Sequence, residues 1–336
     1  MIQLIALDLD GTTLTGDNVI SERNRNALLA AMAQGVLVVP ATGRTFEKMP
    51  SCIRELPGIQ YAICSNGAAV YDVRADRNIY ENLMPYETVA EMLRFGDEYK
   101  CFPEVYLKGR SYCRLSQLDL VMEYPRLSDY AAHVKSTRLP VESLRRFVLE
   151  AGCGVEKVNL WPKRREDFPV MWGQLLENQT VSITSSGFGN IEINAHGCDK
   201  GDGLLHLCEY LTISRENVMA AGDNLNDGPM LRFAGESVAM GNAIDDVKNI
   251  AKYIAKTNLE DGVAEMVERL VLKKRNLIKE RALPPSLFAI IRRSRKAGQP
   301  GRAKAFLLQE KNERKHTPGF TGQKALAYAG SACLRL

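Results

Sequence analysis

The chain has 336 residues, 45% of them hydrophobic and 25% charged, which excludes general disorder and provides enough length for two domains. No apolar run reaches the ~18 residues of a membrane span, and Met1-Ile2-Gln3 lacks the basic stretch and apolar core of a secretory leader, so a cytoplasmic protein with no transmembrane segment is expected. The net charge of +4 hides an asymmetry: residues 273–336 carry 16 Lys/Arg against 3 Asp/Glu, or +13, whereas residues 1–272 carry 28 against 37, or −9.

In chain order, Gln3–Asp8 reads as a buried strand, ending in Asp8-Leu9-Asp10-Gly11-Thr12-Thr13. Ser21 caps a helix that Gly35 ends. Val36–Pro40 is a second strand, followed by Ala41-Thr42-Gly43-Arg44 and a helix expected over Phe46–Leu56. Tyr61–Cys64 is a third strand, opening into Ser65-Asn66-Gly67. This spacing predicts right-handed βαβ units and a parallel sheet.

The middle reads differently. Ala69–Val73 and Asn78–Met84 form short paired strands, and a helix covers Tyr86–Lys100. Val105–Leu107 and Ser111–Leu115 flank a glycine turn as a hairpin. Helical Val141–Ala151, strand Val155–Trp161, helical Glu166–Glu177 and strands Val181–Ser185 and Asn190–Asn194 follow. The parallel pattern then resumes: helix Gly201–Leu211, strand Asn217–Ala221, helix Asp227–Phe233, strand Ser237–Met240, helix Asp245–Ala251, strand Tyr253–Ala255 and helix Leu259–Leu272. The fold expected is α/β: a Rossmann-like parallel-sheet core, residues 1–84 and 186–272, with an α+β cap domain, residues 85–185, inserted into it. Residues 273–336 are expected to be a mostly mobile basic extension with one or two short amphipathic helices.

Two carboxylates one residue apart at a strand end, Asp8 and Asp10, lie where open α/β sheets bind ligands. Buried charges need partners, so the pair points to a divalent cation, a nucleophile beside an acid/base, or both. Thr42, Lys200 and Gly222-Asp223-Asn224-Leu225-Asn226-Asp227 are separate clusters at strand ends or helix starts that can converge on the same edge. Together they supply carboxylates for a hard cation, a hydroxyl and an ammonium for phosphate oxygens, and a nucleophile with a neighbouring acid. That set suits phosphoryl transfer. The eight cysteines form no CxxC pair and there are four histidines, so a zinc site is not expected. There is no GxxxxGK[ST] phosphate loop. Lys108, Arg110, Arg114, Lys157, Lys163, Arg164 and Arg165 read as solvated charges, and Trp161 and Trp172 as core aromatics of the inserted domain.

In Asp8-Leu9-Asp10-Gly11-Thr12, Ala41-Thr42-Gly43-Arg44, Ser65-Asn66-Gly67-Ala68, Asp199-Lys200-Gly201 and Gly222–Asp227, in that order, the chain resembles the haloacid dehalogenase (HAD) superfamily. It is closest to the Cof-type branch of metabolite phosphatases with a type IIB cap. The resemblance runs from Ile5 to about Leu272. It implies a phosphomonoesterase in which Asp8 is the nucleophile that becomes aspartyl-phosphate and Asp10 is the acid/base. Mg²⁺ would be held by the Asp8 carboxylate, the Asp10 backbone carbonyl and Asp223, with Asp227 and Asn226 supporting the metal and the lysine. Thr42 and Lys200 would hold phosphoryl oxygens beside Gly43, and Arg44 and Asn66 would contact substrate near the cap. The substrate implied is a small phosphorylated metabolite, sugar phosphates first, with pyridoxal phosphate or a flavin mononucleotide as alternatives. Rival readings are a phosphomutase or phosphonate hydrolase of the same superfamily, and a nucleic-acid or anionic-membrane binding protein acting through residues 273–336.

Overall fold

A computed structural model describes residues 1–125, 127, 128, 131–186 and 189–273. The expectations for the basic extension lie outside these residues. The strands are β1 (Leu4–Leu7), β2 (Leu37–Pro40), β3 (Tyr61–Cys64), β4 (Ala69–Asp72), β5 (Arg77–Glu81), β6 (Phe102–Leu107), β7 (Arg110–Arg114), β8 (Leu139–Val141), β9 (Lys157–Trp161), β10 (Val181–Thr184), β11 (Ile191–Ala195), β12 (Val218–Gly222), β13 (Glu236–Ala239) and β14 (Tyr253–Ile254). The helices are α1 (Glu22–Met32), α2 (Ser51–Arg54), α3 (Tyr86–Glu98), α4 (Leu115–Leu118), α5 (Ala131–Thr137), α6 (Leu144–Ala151), α7 (Asp167–Leu176), α8 (Lys200–Leu211), α9 (Gly228–Phe233), α10 (Asp245–Ile250) and α11 (Gly262–Met266).

Every residue of β1 is buried, so the strand has no face left for water and belongs inside a parallel sheet. It pairs with β12 on one side and β2 on the other, and the sheet runs β14-β13-β12-β1-β2, all parallel. The Ser21 hydroxyl accepts the Asn24 N–H at 3.1 Å and starts α1, and Gly35, at φ +78°, turns the chain into β2. Because the strands are parallel, their carboxyl ends line one edge, which receives Asp8, Thr42 and Asp223.

Two expectations fail nearby. The helix over Phe46–Leu56 is only a tight turn at Phe46–Lys48 followed by the single turn α2, because Pro50 has no N–H to continue a helix. β3 is not an ordinary third strand of the parallel sheet. It meets the end of β2 through one parallel bridge, Ala41 to Ile63, and otherwise pairs antiparallel with β4 in a three-stranded sheet, β3-β4-β5. Ser65, Asn66 and Gly67, at φ 50°, 60° and 100°, turn the chain straight back into that hairpin. A Cβ on Gly67 would fall 1.9 Å from the Asp199 carbonyl oxygen, so only glycine fits where the turn meets the start of α8.

The middle segment builds a six-stranded sheet, β10-β11-β9-β6-β7-β8. It runs on through Ala195, past the boundary expected at residue 185, because β11 pairs antiparallel with both β10 and β9. The alternation along β6, β9 and β11 sorts the residues into two buried faces. Val105, Val158, Leu160, Ile191 and Ile193 pack with Val89, Met92 and Leu93 of α3, Val148 of α6 and Met171 of α7. Glu104, Tyr106, Lys157, Asn159, Trp161, Glu192 and Asn194 form the other face, which is polar yet also buried. The cationic reading of Lys157 as a solvated charge is therefore corrected: it is 2% exposed and pairs with Glu192 at 3.2 Å. Trp161 is buried as expected, and its indole donates to Glu104 Oε2 at 2.9 Å.

Two predictions follow from this packing. Gly67→Ala should lower the thermal midpoint and the yield of folded protein, since the clash is with backbone and no side chain can move aside; an unchanged melting curve would contradict it. Glu104 is held down to about 2 from its ordinary 4.5: burial alone would raise it, but the charge and hydrogen bond of Arg138 and the Trp161 indole outweigh burial. A carboxyl depressed on folding stabilises the protein above its unfolded value, so that stabilisation should disappear as pH falls from about 4.5 toward 2. Denaturant melts followed by fluorescence of Trp161 and Trp172 should show this slope, and Glu104→Gln should flatten it while lowering stability at neutral pH.

Candidate active site

Asp8 follows β1 directly, and its N–H bonds the Ala221 carbonyl at 3.0 Å, in step with β12. The chain then turns on Gly11 at φ +81°, where a Cβ would stand 2.5 Å from Asp223 Oδ2. The turn is locked by Thr13, whose hydroxyl donates to the Asp8 carbonyl at 2.6 Å, and by Thr12, whose hydroxyl donates to Asp223 Oδ1 at 2.7 Å. Lys200 enters from the first turn of α8, which the Asp199 side chain caps by accepting the Asp202 N–H at 2.9 Å. Its ammonium is fully buried, 2.6 Å from Asp8 Oδ1 and 2.7 Å from Asp227 Oδ1. The other Asp227 oxygen accepts the N–H groups of Asp223 and Asn224 at 2.8 and 2.9 Å, which shapes the loop after β12.

One oxygen from each of Asp8, Asp223 and Asp227 lies within 4.8 Å of the others. Three carboxylates against one ammonium leave uncompensated negative charge. Burial, then Asp227, pushes the Asp8 carboxyl well above its usual range despite Lys200. Burial and Asp227 likewise push Asp223 up to about 6. Burial would lower Lys200, but Asp227 and Asp8 outweigh it and hold the ammonium above its ordinary value. A divalent cation fits this donor set: all-oxygen ligands and a surplus of negative charge. Asp227 has both oxygens engaged by Lys200 and backbone N–H groups, so Asp8 and Asp223 are the carboxylates with capacity left for a metal.

Asp10 stands apart from that cluster. Its carboxylate is gripped by the Arg44 guanidinium, Nε to Oδ2 at 2.9 Å and Nη2 to Oδ1 at 2.5 Å, and Arg44 Nη2 also donates to Asn18 Oδ1 at 2.7 Å. Thr42 is buried at the end of β2, and its hydroxyl accepts the Arg44 N–H at 3.1 Å. Asn66 is buried on the turn after β3. It donates to Glu192 Oε2 at 2.5 Å, and its Oδ1 accepts from Asn226 Nδ2 at 3.4 Å. A Cβ on Gly43 would meet Asn66 Oδ1 at 2.9 Å, and the Gly43 carbonyl accepts from Lys157 Nζ at 2.7 Å. Thus Asp8, Lys200, Asp223 and Asp227 form one group. Thr42, Gly43, Asn66 and Asn226 form a neighbouring one, and Asp10 with Arg44 is a separate, partly exposed pair.

Sequence reasoning missed Lys157, Glu192 and Asn194, which link the polar face of the six-stranded sheet to the catalytic loops. Asn194 Nδ2 donates to the carbonyls of Ser65 and Glu156, both at 2.9 Å. Their signal was the strict alternation Lys157-Val158-Asn159-Leu160-Trp161 and Ile191-Glu192-Ile193-Asn194, which puts all the polar groups on one face.

A family profile described as haloacid dehalogenase-like hydrolase matches residues 5–267. The chain is 33% identical over 274 residues to the 5-amino-6-(5-phospho-D-ribitylamino)uracil phosphatase YcsE of Bacillus subtilis, covering 81% of this chain and 96% of that protein. It is 29% identical over 273 residues to the pyridoxal phosphate phosphatase YbhA of Escherichia coli, covering 79% and 97%. Among solved structures, a haloacid dehalogenase-like hydrolase from B. subtilis superposes with a TM-score of 0.71 at 30% identity, over 80% of this chain and all of that one. With the motifs in order and the carboxylates and lysine gathered at the sheet edge, the chain belongs to the haloacid dehalogenase-like hydrolases, in their Cof-type phosphatase branch.

Proposed function

We propose that the chain hydrolyses small phosphorylated metabolites, sugar phosphates first among them, through an aspartyl-phosphate on Asp8. The observation that carries this reading is the buried Lys200 ammonium between Asp8 and Asp227, with Asp223 beside them. Asp8 attacks phosphorus and the bond to the leaving oxygen breaks. Lys200 and the Thr42 hydroxyl hold the phosphoryl oxygens, whose charge they offset. Asp10, in its carboxylic-acid form, gives its proton to the leaving oxygen, and the carboxylate left behind takes one from the water that attacks the phosphoaspartate. Arg44 is a positioning residue that fixes the Asp10 carboxylate. Asp8, Asp223 and the Asp10 carbonyl would hold Mg²⁺, with Asp227 fixing the loop and lysine around them. The cation supplies charge neutralisation at the phosphoryl group.

The six-stranded sheet acts as the cap; because β11 pairs within it, we take the insertion to run over residues 85–195, rather than 85–185, with the catalytic core at 1–84 and 196–272. Lys157 on the Gly43 carbonyl and Glu192 on Asn66 support this role, because they place the cap's polar face on the loops that carry Thr42 and Asn66. Closure of the cap excludes water and shapes the space for the leaving group.

Phosphate release from a panel of phosphomonoesters should need Mg²⁺ and stop with EDTA; metal-independent turnover would overturn the reading. Asp8→Asn should be inactive with its circular dichroism unchanged. Asp10→Asn should slow turnover on the order of 10²–10⁴-fold, and Lys200→Ala on the order of 10²–10³-fold. A near-normal kcat/KM in either variant would reassign the residue.

A further inference from the structure

Five cations lie where the six-stranded sheet meets the Thr42–Lys48 segment. Four are matched: Arg44 pairs with Asp10, Arg110 with Glu47, Arg138 with Glu104 and Lys157 with Glu192. The two cap carboxylates are also saturated. Glu104 accepts from Asn159 at 2.6 Å and Trp161 at 2.9 Å besides Arg138. Glu192 accepts from Asn66, Ser186 and Asn190 besides Lys157. Lys48 is the cation left over. Among the described residues it forms no ion pair. Its ammonium donates to the Ser111 hydroxyl on β7 and stands 5.7 Å from the centre of the Tyr106 ring, over which Lys157 also lies at 4.4 Å.

The surroundings are electrostatically one-sided. Burial, then Arg138 and Lys157, pulls Lys48 down to about 7, although Glu104 opposes this. Burial and the charges of Arg138, Arg44 and Lys48 also lower His133. A half-buried ammonium kept among other cations, with only a hydroxyl to bond, is a receptor without its anion. It is tied to the loops that carry the site: Arg44, which grips Asp10, donates through Nη1 to the Lys48 backbone carbonyl at 3.4 Å, and Lys157, over the same Tyr106 ring, donates to the Gly43 carbonyl at 2.7 Å.

We propose that Lys48 is the binding residue for a second anionic group, a carboxylate or phosphate carried by the leaving alcohol, so that the preferred substrates are phosphomonoesters with another negative charge away from the scissile phosphate. This rests on the phosphatase reading and narrows it. Ser111 and Tyr106 complete the subsite, one as a hydrogen-bonding hydroxyl and the other as its aromatic wall.

Matched esters test it on the full chain with Mg²⁺: phosphoglycerate against glycerol phosphate, and a hexose bisphosphate against the corresponding hexose monophosphate. The more anionic member of at least one pair should have the higher kcat/KM, on the order of tenfold, expressed mainly in KM. The pair that responds identifies carboxylate or phosphate. Lys48→Met should bring that ratio toward one, and Lys48→Arg should restore it. Loss of folded enzyme or of a mere cap contact would lower both members alike and leave the ratio, so the ratio separates binding from structure. Ratios near one for both pairs, or a preference that survives Lys48→Met, would overturn the proposal. If no ester is hydrolysed, the phosphatase reading fails separately. Calorimetric binding of the same esters then decides the subsite, and the absence of a Lys48-dependent preference for the more anionic ester overturns it.

Discussion

A fully buried ammonium is stable only among carboxylates, and Lys200 has two of them within 2.7 Å. That constraint ties together three distant parts of the chain: the end of β1, the start of α8 and the loop after β12. Asp227 does two things at once: one oxygen holds the lysine and the other collects two backbone N–H groups of its own loop. Lys200 cannot balance Asp8, Asp223 and Asp227 together. Burial, with that imbalance, keeps Asp8 and Asp223 hard to ionise and suits the site to a hard cation. Stability and the proposed chemistry therefore share one arrangement: the charge that fixes α8 against the sheet is the charge that would meet a phosphoryl oxygen.

The polar face of the six-stranded sheet is the second half of the arrangement. A sheet normally turns such a face to water, but here it is buried against Gly43, Ser65 and Asn66. Its buried charges accordingly find partners across the gap or along the face, as Lys157 and Glu192 do, and Asn194 reaches the Ser65 carbonyl. Gly43 carries no side chain because Asn66, Glu192 and Lys157 crowd the place where a Cβ would stand. The Thr42–Arg44 loop is thus held from both sides, by β3 through backbone bonds and by the cap through side chains. A shift of the cap is felt directly at the residues beside the catalytic carboxylates.

How much of this was legible in the sequence depended on the range of each interaction. β1, β2 and β12 are buried on both faces, so they read as unbroken apolar runs, and the polar residues at their ends stood out as Asp8, Thr42 and Asp223. Lys200 was legible only through its motif, because nothing local distinguishes it from a solvated lysine; its partners are 192 and 27 residues away. Lys157 failed for the same reason, with Glu192 35 residues distant. The error at Phe46–Leu56 was local instead: the apolar spacing suited a helix, but Pro50 removed a donor the helix needed. β3 was misjudged because its apolar run is common to parallel and antiparallel strands, and the left-handed turn at Ser65–Gly67 decided between them.

The relatives separate what the sheet edge determines from what it leaves open. Proteins named for a ribitylaminouracil phosphate and for pyridoxal phosphate match this chain over most of their length, at 33% and 29% identity. The two names share a phosphate ester on otherwise different molecules, so the proposed function assigns the phosphoryl chemistry to the shared edge and discrimination to groups that surround the leaving alcohol. On the proposed reading those groups are contributed jointly, Arg44 and Lys48 by the core and Tyr106, Ser111, Arg138 and Lys157 by the cap. A pocket divided in this way exists only when the two parts are together. Under the proposed mechanism, recognition of the leaving group and exclusion of water from an aspartyl-phosphate at Asp8 would be consequences of the same closure, and a substrate that left Lys48 unmatched would forgo part of the energy that closes it.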